Sequence, residues 1–172
     1  LAAEQGQLDG FDVIVIDDYA PKNFPPGRYL TTGKAPPLAG FNEYGVAKAD
    51  LMLSSNAEHP VMQFVNADRL YVAELNLIQP DQDLDVIMEG SKGPFVAVLA
   101  RGEHTVVHVT FAPLDSNWPV LRSILPFTLN AIEFLAASNR SITAQALEPG
   151  QAITARLPMG VTQVLLTAPD QE

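Results

Sequence analysis

The sequence predicts an α/β layered fold, on three observations. Val13 to Ile16 is an unbroken apolar run that ends in Asp17 and Asp18, the pattern of a strand buried on both faces of a parallel sheet. From Leu70 to Phe111, segments rich in Val, Leu and Ile follow one another with turn signals between them. Trp118 to Ala137 then carries apolar residues at helical spacing, the layer that such a sheet needs against its face.

In chain order, Leu1 to Gly10 reads as the tail of a helix and a loop. The strand at Asp12 to Asp18 is followed by a Pro-rich turn, Ala20 to Gly27, and a second short strand, Arg28 to Thr32. Gly33 to Gly45 is rich in Gly and Pro and is expected to be loop, with a third strand at Asp50 to Ser54. His59-Pro60 opens a short helical turn, Val61 to Val65, with Pro60 in the first turn, where its missing N–H is harmless. Leu70 to Ile78, Leu84 to Met88, Pro94 to Ala100 and Thr105 to Phe111 are expected strands. The short turn Arg101-Gly102-Glu103-His104 makes the last two a hairpin.

Asp115, Ser116 or Asn117 can cap the long helix, and Pro119 suits its first position. Pro126, seven residues on, must kink the helix or restart it. Trp118, Leu121, Leu125, Leu129, Ile132 and Leu135 recur at steps of three and four, so this is the face expected to meet the core. The segment has the length of a membrane span, but Arg122 and Glu133 sit within it. Each central charge costs roughly 2.5–3.5 kcal/mol on insertion scales, so it reads as a core helix and not an anchor.

Composition bounds the function. Twenty acidic against ten basic side chains give a net charge of −10, which argues against a nucleic-acid surface. With no cysteine there is no disulfide, thiolate metal site or cysteine nucleophile. Hydrophobic residues at 47 % and charged residues at 17 % are globular proportions. Leu1 stands where an initiating Met would, and nothing near it reads as a signal peptide, so the chain is expected to be a piece of a longer one. Its composition shifts after Ser141. Residues 1–140 are therefore expected to form the α/β domain, and 141–172 to begin a small β-rich unit with strands at Ala152 to Leu157 and Val161 to Ala168.

Asp17 and Asp18 close a buried strand, the place where open α/β sheets carry functional residues. A von Willebrand factor A metal motif would need DxSxS, and no serine follows them. Solvated or capping carboxylates are the plainer reading. His59, before a Pro, suits a base on a loop, or else a residue that bonds locally at a helix start. His104 is expected in solvent at the hairpin turn, and His108 half-buried in a strand. No two histidines have metal-ligand spacing. Gly33-Lys34-Ala35 lacks the first Gly and the Ser or Thr of GxxxxGK(S/T), and no GxSxG elbow exists. Ser54-Ser55 reads as turn chemistry. Asp81, Asp83, Asp85 and Glu89 alternate with Leu84, Val86 and Met88, as on an edge or one-sided strand with its polar face in water.

The most distinctive stretch is DSNWPVLRSILPFTLNAIEFL, Asp115 to Leu135. It resembles a segment of large bacterial membrane proteins that contain a von Willebrand factor A domain, relatives of the Bat aerotolerance proteins. FDVIVIDDYAP, PPGRYLTTGKAPP, HPVMQFVN, LYVAEL, GPFVAVLARG and HTVVHVTFAPLDSNWP resemble the same family in the same order, and EPGQAITARLPMGVTQVLLTAPD resembles the small β unit that follows there. The resemblance implies a class I glutamine amidotransferase-like domain of flavodoxin-like layering, here without its first strand. It implies a parent anchored by helices outside this segment, and a soluble domain facing the periplasm that touches other domains of the same protein and not the membrane. A cysteine elbow would be sought at Gly33-Lys34-Ala35, where none is present, so no catalytic residue carries over.

The leading expectation is therefore a non-catalytic structural or protein-interaction domain, with no cofactor and no metal. One alternative is a hydrolase or amidotransferase-like enzyme completed by another domain, with Asp17, Asp18 and His59 as contributors. The other is a module that binds an envelope carbohydrate or similar ligand in the cleft around Gly33 to Tyr44.

Overall fold

The computed structural model describes residue 8 and residues 10–137; the unit expected at 141–172 and the boundary at 140 lie outside them. Among the described residues the strands are β1 (Ile14–Asp17), β2 (Gly27–Thr32), β3 (Phe41–Ser55), β4 (Tyr71–Pro80), β5 (Leu84–Gly90), β6 (Pro94–Arg101) and β7 (His104–Val109). They form one mixed sheet in the order β1-β2-β7-β6-β5-β3-β4, parallel from β1 through β7 and antiparallel beyond. The helix α1 (Ile124–Ala137) packs on β2 and β7. This is the α/β layered architecture that the apolar runs imply.

Strand alternation splits the interior in two. Leu30, Val107 and Val109 enter the main core, which α1 and the loops cover, while Tyr29 and Val106 enter a second cluster with Phe41, Ile78, Leu84 and Leu99. β2 and β7 are thus buried on both faces, as central strands of a parallel set should be. The β6–β7 hairpin turns where expected, and Gly102 takes a φ of +58° at the first turn position, a conformation that costs glycine nothing.

The segment Gly33 to Gly45 is not wholly loop. β3 already begins at Phe41, runs fifteen residues, and serves two partners in succession, β4 through Leu51 and β5 from Met52. The hand-over falls at Asp50, which is 1 % exposed. Its Oδ1 accepts from the N–H of Leu51 (2.8 Å) and from the N–H and hydroxyl of Ser91 (3.0 and 2.6 Å), and its Oδ2 accepts from the N–H of Lys92 (3.0 Å). A buried carboxylate is tolerable when so fully bonded. Gly90 makes room for it, since a Cβ there would stand 2.6 Å from Asp50 Oδ2. Periodicity gave no hint of this residue, because an Asp inside a mixed stretch of β3 looks solvated.

α1 also departs from expectation. Pro126 restarts the chain: a 3-10 turn, Trp118–Val120, comes first, and α1 then carries Pro126 in its own first turn. The break shifts the phase. Phe127, Ala131 and Leu135 are buried, whereas Leu125, Leu129 and Ile132 of the expected face are 68, 61 and 37 % exposed. Asn130 fixes this rotation by donating its amide to the carbonyls of Val61 and Gln63, at 3.3 and 2.7 Å.

Between β7 and α1 the sequence Ser116-Asn117-Trp118 closes the sheet on itself. Asn117 Oδ1 accepts from Tyr71 N–H (2.8 Å), its amide donates to Arg69 C=O (2.8 Å), and its own N–H donates to Tyr71 C=O (3.0 Å). Asn76 N–H adds a bond to Thr110 C=O at 2.8 Å, so the outer edge of β4 is fastened to the chain that leaves β7. Trp118, 1 % exposed, lies between Phe111 and Phe127 and donates its indole N–H to Ser123 Oγ at 3.2 Å. The expectation of a buried tryptophan anchor holds, although it precedes α1 and is not part of it. Replacing Trp118 by Ala should cost about 3–5 kcal/mol of unfolding free energy. Urea denaturation monitored by circular dichroism measures this, and a loss under about 1 kcal/mol would contradict the packing described.

Candidate functional site

The carboxyl ends of β1, β2 and β7 lie side by side, which is where an open α/β sheet binds ligands. Asp17 and Asp18 come from β1 and the turn after it. Thr32 hydroxyl donates a hydrogen bond to Asp17 Oδ1, and Asp18 N–H donates to Thr32 C=O at 3.1 Å. Asp18 adopts a φ of +44°, and Gly33 one of +68°. These two positions face each other closely. A Cβ on Gly33 would stand 3.0 Å from Asp18 Cα and run into its carboxylate. The end of the sheet is thus closed by a carboxylate–hydroxyl pair and a glycine, with Ala35 N–H donating to Glu43 Oε2 (3.2 Å) just beyond.

His59 is held elsewhere. It caps the 3-10 turn Pro60–Met62, where its Nδ1 accepts from Val61 N–H at 3.2 Å, and its ring packs against Phe134 of α1 at 5.3 Å. Burial lowers its pKa from the ordinary histidine value, and the nearby Asp85 carboxylate offsets part of that effect. The structure therefore joins Asp17 and Asp18 to Thr32 and Gly33, and gives His59 the local bonding role that its Pro neighbour suggests.

His108 is fully buried, not half-buried, and register pairs it with Thr31 across β2 and β7. Thr31 Oγ1 and His108 Nδ1 share a hydrogen bond of 2.9 Å, the edge of Phe41 meets the ring at 5.2 Å, and Nε2 is buried without a partner. A hydroxyl beside an imidazole is the skeleton of a nucleophile–base pair. Here both residues are at most 1 % exposed, so no substrate reaches them. Burial pushes the His108 pKa down to about 3, which keeps the ring neutral. Equal alternation in the two strands carries this pair, but the parallel pairing of β2 with β7 had to be known to find it.

Other expectations are corrected. His104 is half-buried, with Nε2 3.2 Å from Phe24 C=O and its ring stacked on Phe24. β5 lies inside the sheet between β6 and β3, so of the two readings of its acids the edge strand is excluded, while Asp83 and Glu89 do face water. Asp81 and Asp83 instead flank β5 and pair with Arg101, Asp81 at 3.1 Å. Among the described residues no three His, Asp or Glu side chains gather in a group able to hold a metal, and no helix is long and apolar enough to cross a membrane.

Among the solved structures that resemble the chain are the following three. A cytoplasmic protein of Salmonella typhimurium aligns with a TM-score of 0.61 at 14 % identity, over 78 % of this chain and 75 % of that one. A second cytoplasmic protein, from Salmonella typhimurium LT2, scores 0.57 at 13 % identity over 78 and 76 %. A GMP synthase-type protein from Thermoplasma acidophilum scores 0.52 at 10 % identity over 78 % of both chains. The chain shares the layered α/β fold of these proteins. At such identities the likeness shows the fold alone. No protein-family model matches the sequence, and no curated protein does.

The buried imidazole makes stability depend on pH in a defined direction. His108 binds a proton near pH 6.5 when unfolded and near pH 3 when folded, so its contribution is complete above 6.5 and is lost as pH falls through that window. Between pH 7 and pH 5 the wild type should lose about 2 kcal/mol more than His108→Gln does. Denaturation curves of both proteins at the two pH values measure the difference, and identical losses would contradict a neutral buried ring.

Proposed function

We propose that this chain is a non-catalytic interaction domain: an amidotransferase-like fold without a nucleophile, belonging to a membrane-anchored parent of the von Willebrand factor A-containing, Bat-related kind and facing the periplasm. The observation that carries the reading is the closed end of the parallel strands. Where a nucleophile elbow would stand, Gly33 has no side chain and no room for one beside Asp18, and the sequence holds no cysteine to place there. The Thr31–His108 pair is the only hydroxyl–imidazole hydrogen bond among the described residues, and it is sealed in the interior. Function on a widely used fold follows from a site, and at this elbow no described side chain stands as an activated nucleophile. The order of the sequence segments supports the parent, and the partners are then other domains of the same polypeptide.

One observation favours the alternative of an enzyme completed by a second domain: Asp17 and Thr32 form a polar pair at the position where ligands bind in such sheets. A direct assay tests the non-catalytic reading. Purified protein should show no glutaminase, amidase or esterase turnover above buffer, and the double variant Asp17→Ala with His59→Ala should behave identically while remaining folded. Turnover in the wild type that the double variant loses would overturn the non-catalytic reading and put these residues in an active site.

A further inference from the structure

Away from the parallel strands, an open groove of about 450 Å³ lies where the β3–β4 ribbon meets β5 and β6. Tyr44, Gln79 and Pro80 form one side, and Glu89 and Pro94 the other. Register shifts bring the key side chains there. Glu43 pairs with Ile78 but Gly45 with Leu77, so Tyr44 is the extra residue of a bulge, and its ring stands 64 % exposed. On β5 a second shift falls between Val86 and Met88. Ile87 and Met88 consequently both enter the main core, and Glu89 instead joins Val86 along the groove. Bulges re-aim side chains, and they gather beside functional sites. An uninterrupted β5 would send Met88 to the groove and Glu89 to the core.

The chemistry of the groove has one sign. Glu89 is its one charged lining residue, and it has no ion-pair partner among the described residues. Nearby cations are spent otherwise: Lys48 pairs with Glu74 at 3.6 Å, and Lys92, three residues after Glu89, donates to the carbonyls of Lys48 and Ala49. An exposed tyrosine ring and an uncompensated carboxylate, set between two prolines, complement a cation with an apolar stem. The ring face attracts the charge, the carboxylate pairs with it, and the prolines take the methylenes. Arginine suits this better than lysine because its flat guanidinium stacks on a ring while it bonds a carboxylate.

We infer that the Tyr44–Glu89 groove is a docking site for an arginine side chain of an extended partner segment. None of Asp17, Asp18, Thr32 or Gly33 lines the groove, so this inference stands whether or not the domain proves catalytic. The full chain, labelled with ¹⁵N, is titrated with the blocked tripeptide Ala-Arg-Ala, with the same peptide carrying citrulline, and with agmatine. The arginine peptide should give saturable shifts at the amides of Tyr44, Gly45, Glu89 and Gly90. Glu89→Gln and Tyr44→Ala should each weaken it about threefold or more, with the remaining spectrum unchanged because both side chains are exposed. The citrulline peptide should not saturate. No saturable shift, equal binding of the citrulline peptide, or undiminished binding by Glu89→Gln would overturn the site. Tighter binding of agmatine than of the peptide would overturn the assignment to a partner segment.

Discussion

The fastening of β4 to the chain between β7 and α1 is the constraint on which the rest of the molecule depends. A sheet with parallel strands at one side and a long antiparallel ribbon at the other has no intrinsic reason to curl back on itself. Asn117 supplies one by imitating a strand: its side chain and backbone together make three hydrogen bonds to Arg69 and Tyr71. Trp118 follows at once and fills the space beneath, between Phe111 and Phe127. The polar residue sets the position and the apolar one supplies the free energy, since burial of a large aromatic outweighs the net gain of individual hydrogen bonds. The most distinctive run in the sequence is in this light a structural device.

Buried polar groups mark the other joints. Asp50 holds the place where β3 leaves β4 for β5, and its four hydrogen bonds from Leu51, Ser91 and Lys92 also shape the β5–β6 turn. Thr31 and His108 couple the two central parallel strands. Each group would be costly if left unpaired in the interior, so each selects one arrangement of strands over its neighbours in register. Specificity of pairing, more than net stability, is what such groups contribute.

Much of this was legible in the sequence. The apolar runs located the strands because period-two patterning and uniform burial leave direct traces, and Gly102 announced the hairpin. Three features were hidden for physical reasons. The face of α1 was ambiguous because Leu125, Leu129 and Ile132 keep helical spacing as well as Phe127, Ala131 and Leu135 do, and the choice rests on a tertiary contact from Asn130. The early start of β3 lay under a stretch whose glycines and prolines signal loop. Tyr44 and Glu89 were brought to one groove by bulges, which break the very alternation that sequence reading relies on. Of the candidate residues, Asp17 and Asp18 stand at the strand end where the apolar run puts them, whereas the Thr31–His108 pair needed the strand order.

The meeting of Gly33 with Asp18 also bears on how this fold can change. Both residues hold positive φ values, and the space for a side chain at position 33 is already filled by the neighbouring carboxylate. A thiol or hydroxyl introduced there alone would be strained in its backbone and crowded by its neighbour, while removal of Asp18 alone would leave the turn without its packing partner. Installing a side chain at position 33 therefore requires two coordinated changes, there and at Asp18, through an unfavourable intermediate. Geometry of that kind acts as a ratchet, and single-residue drift or single-site engineering at this turn is held at glycine.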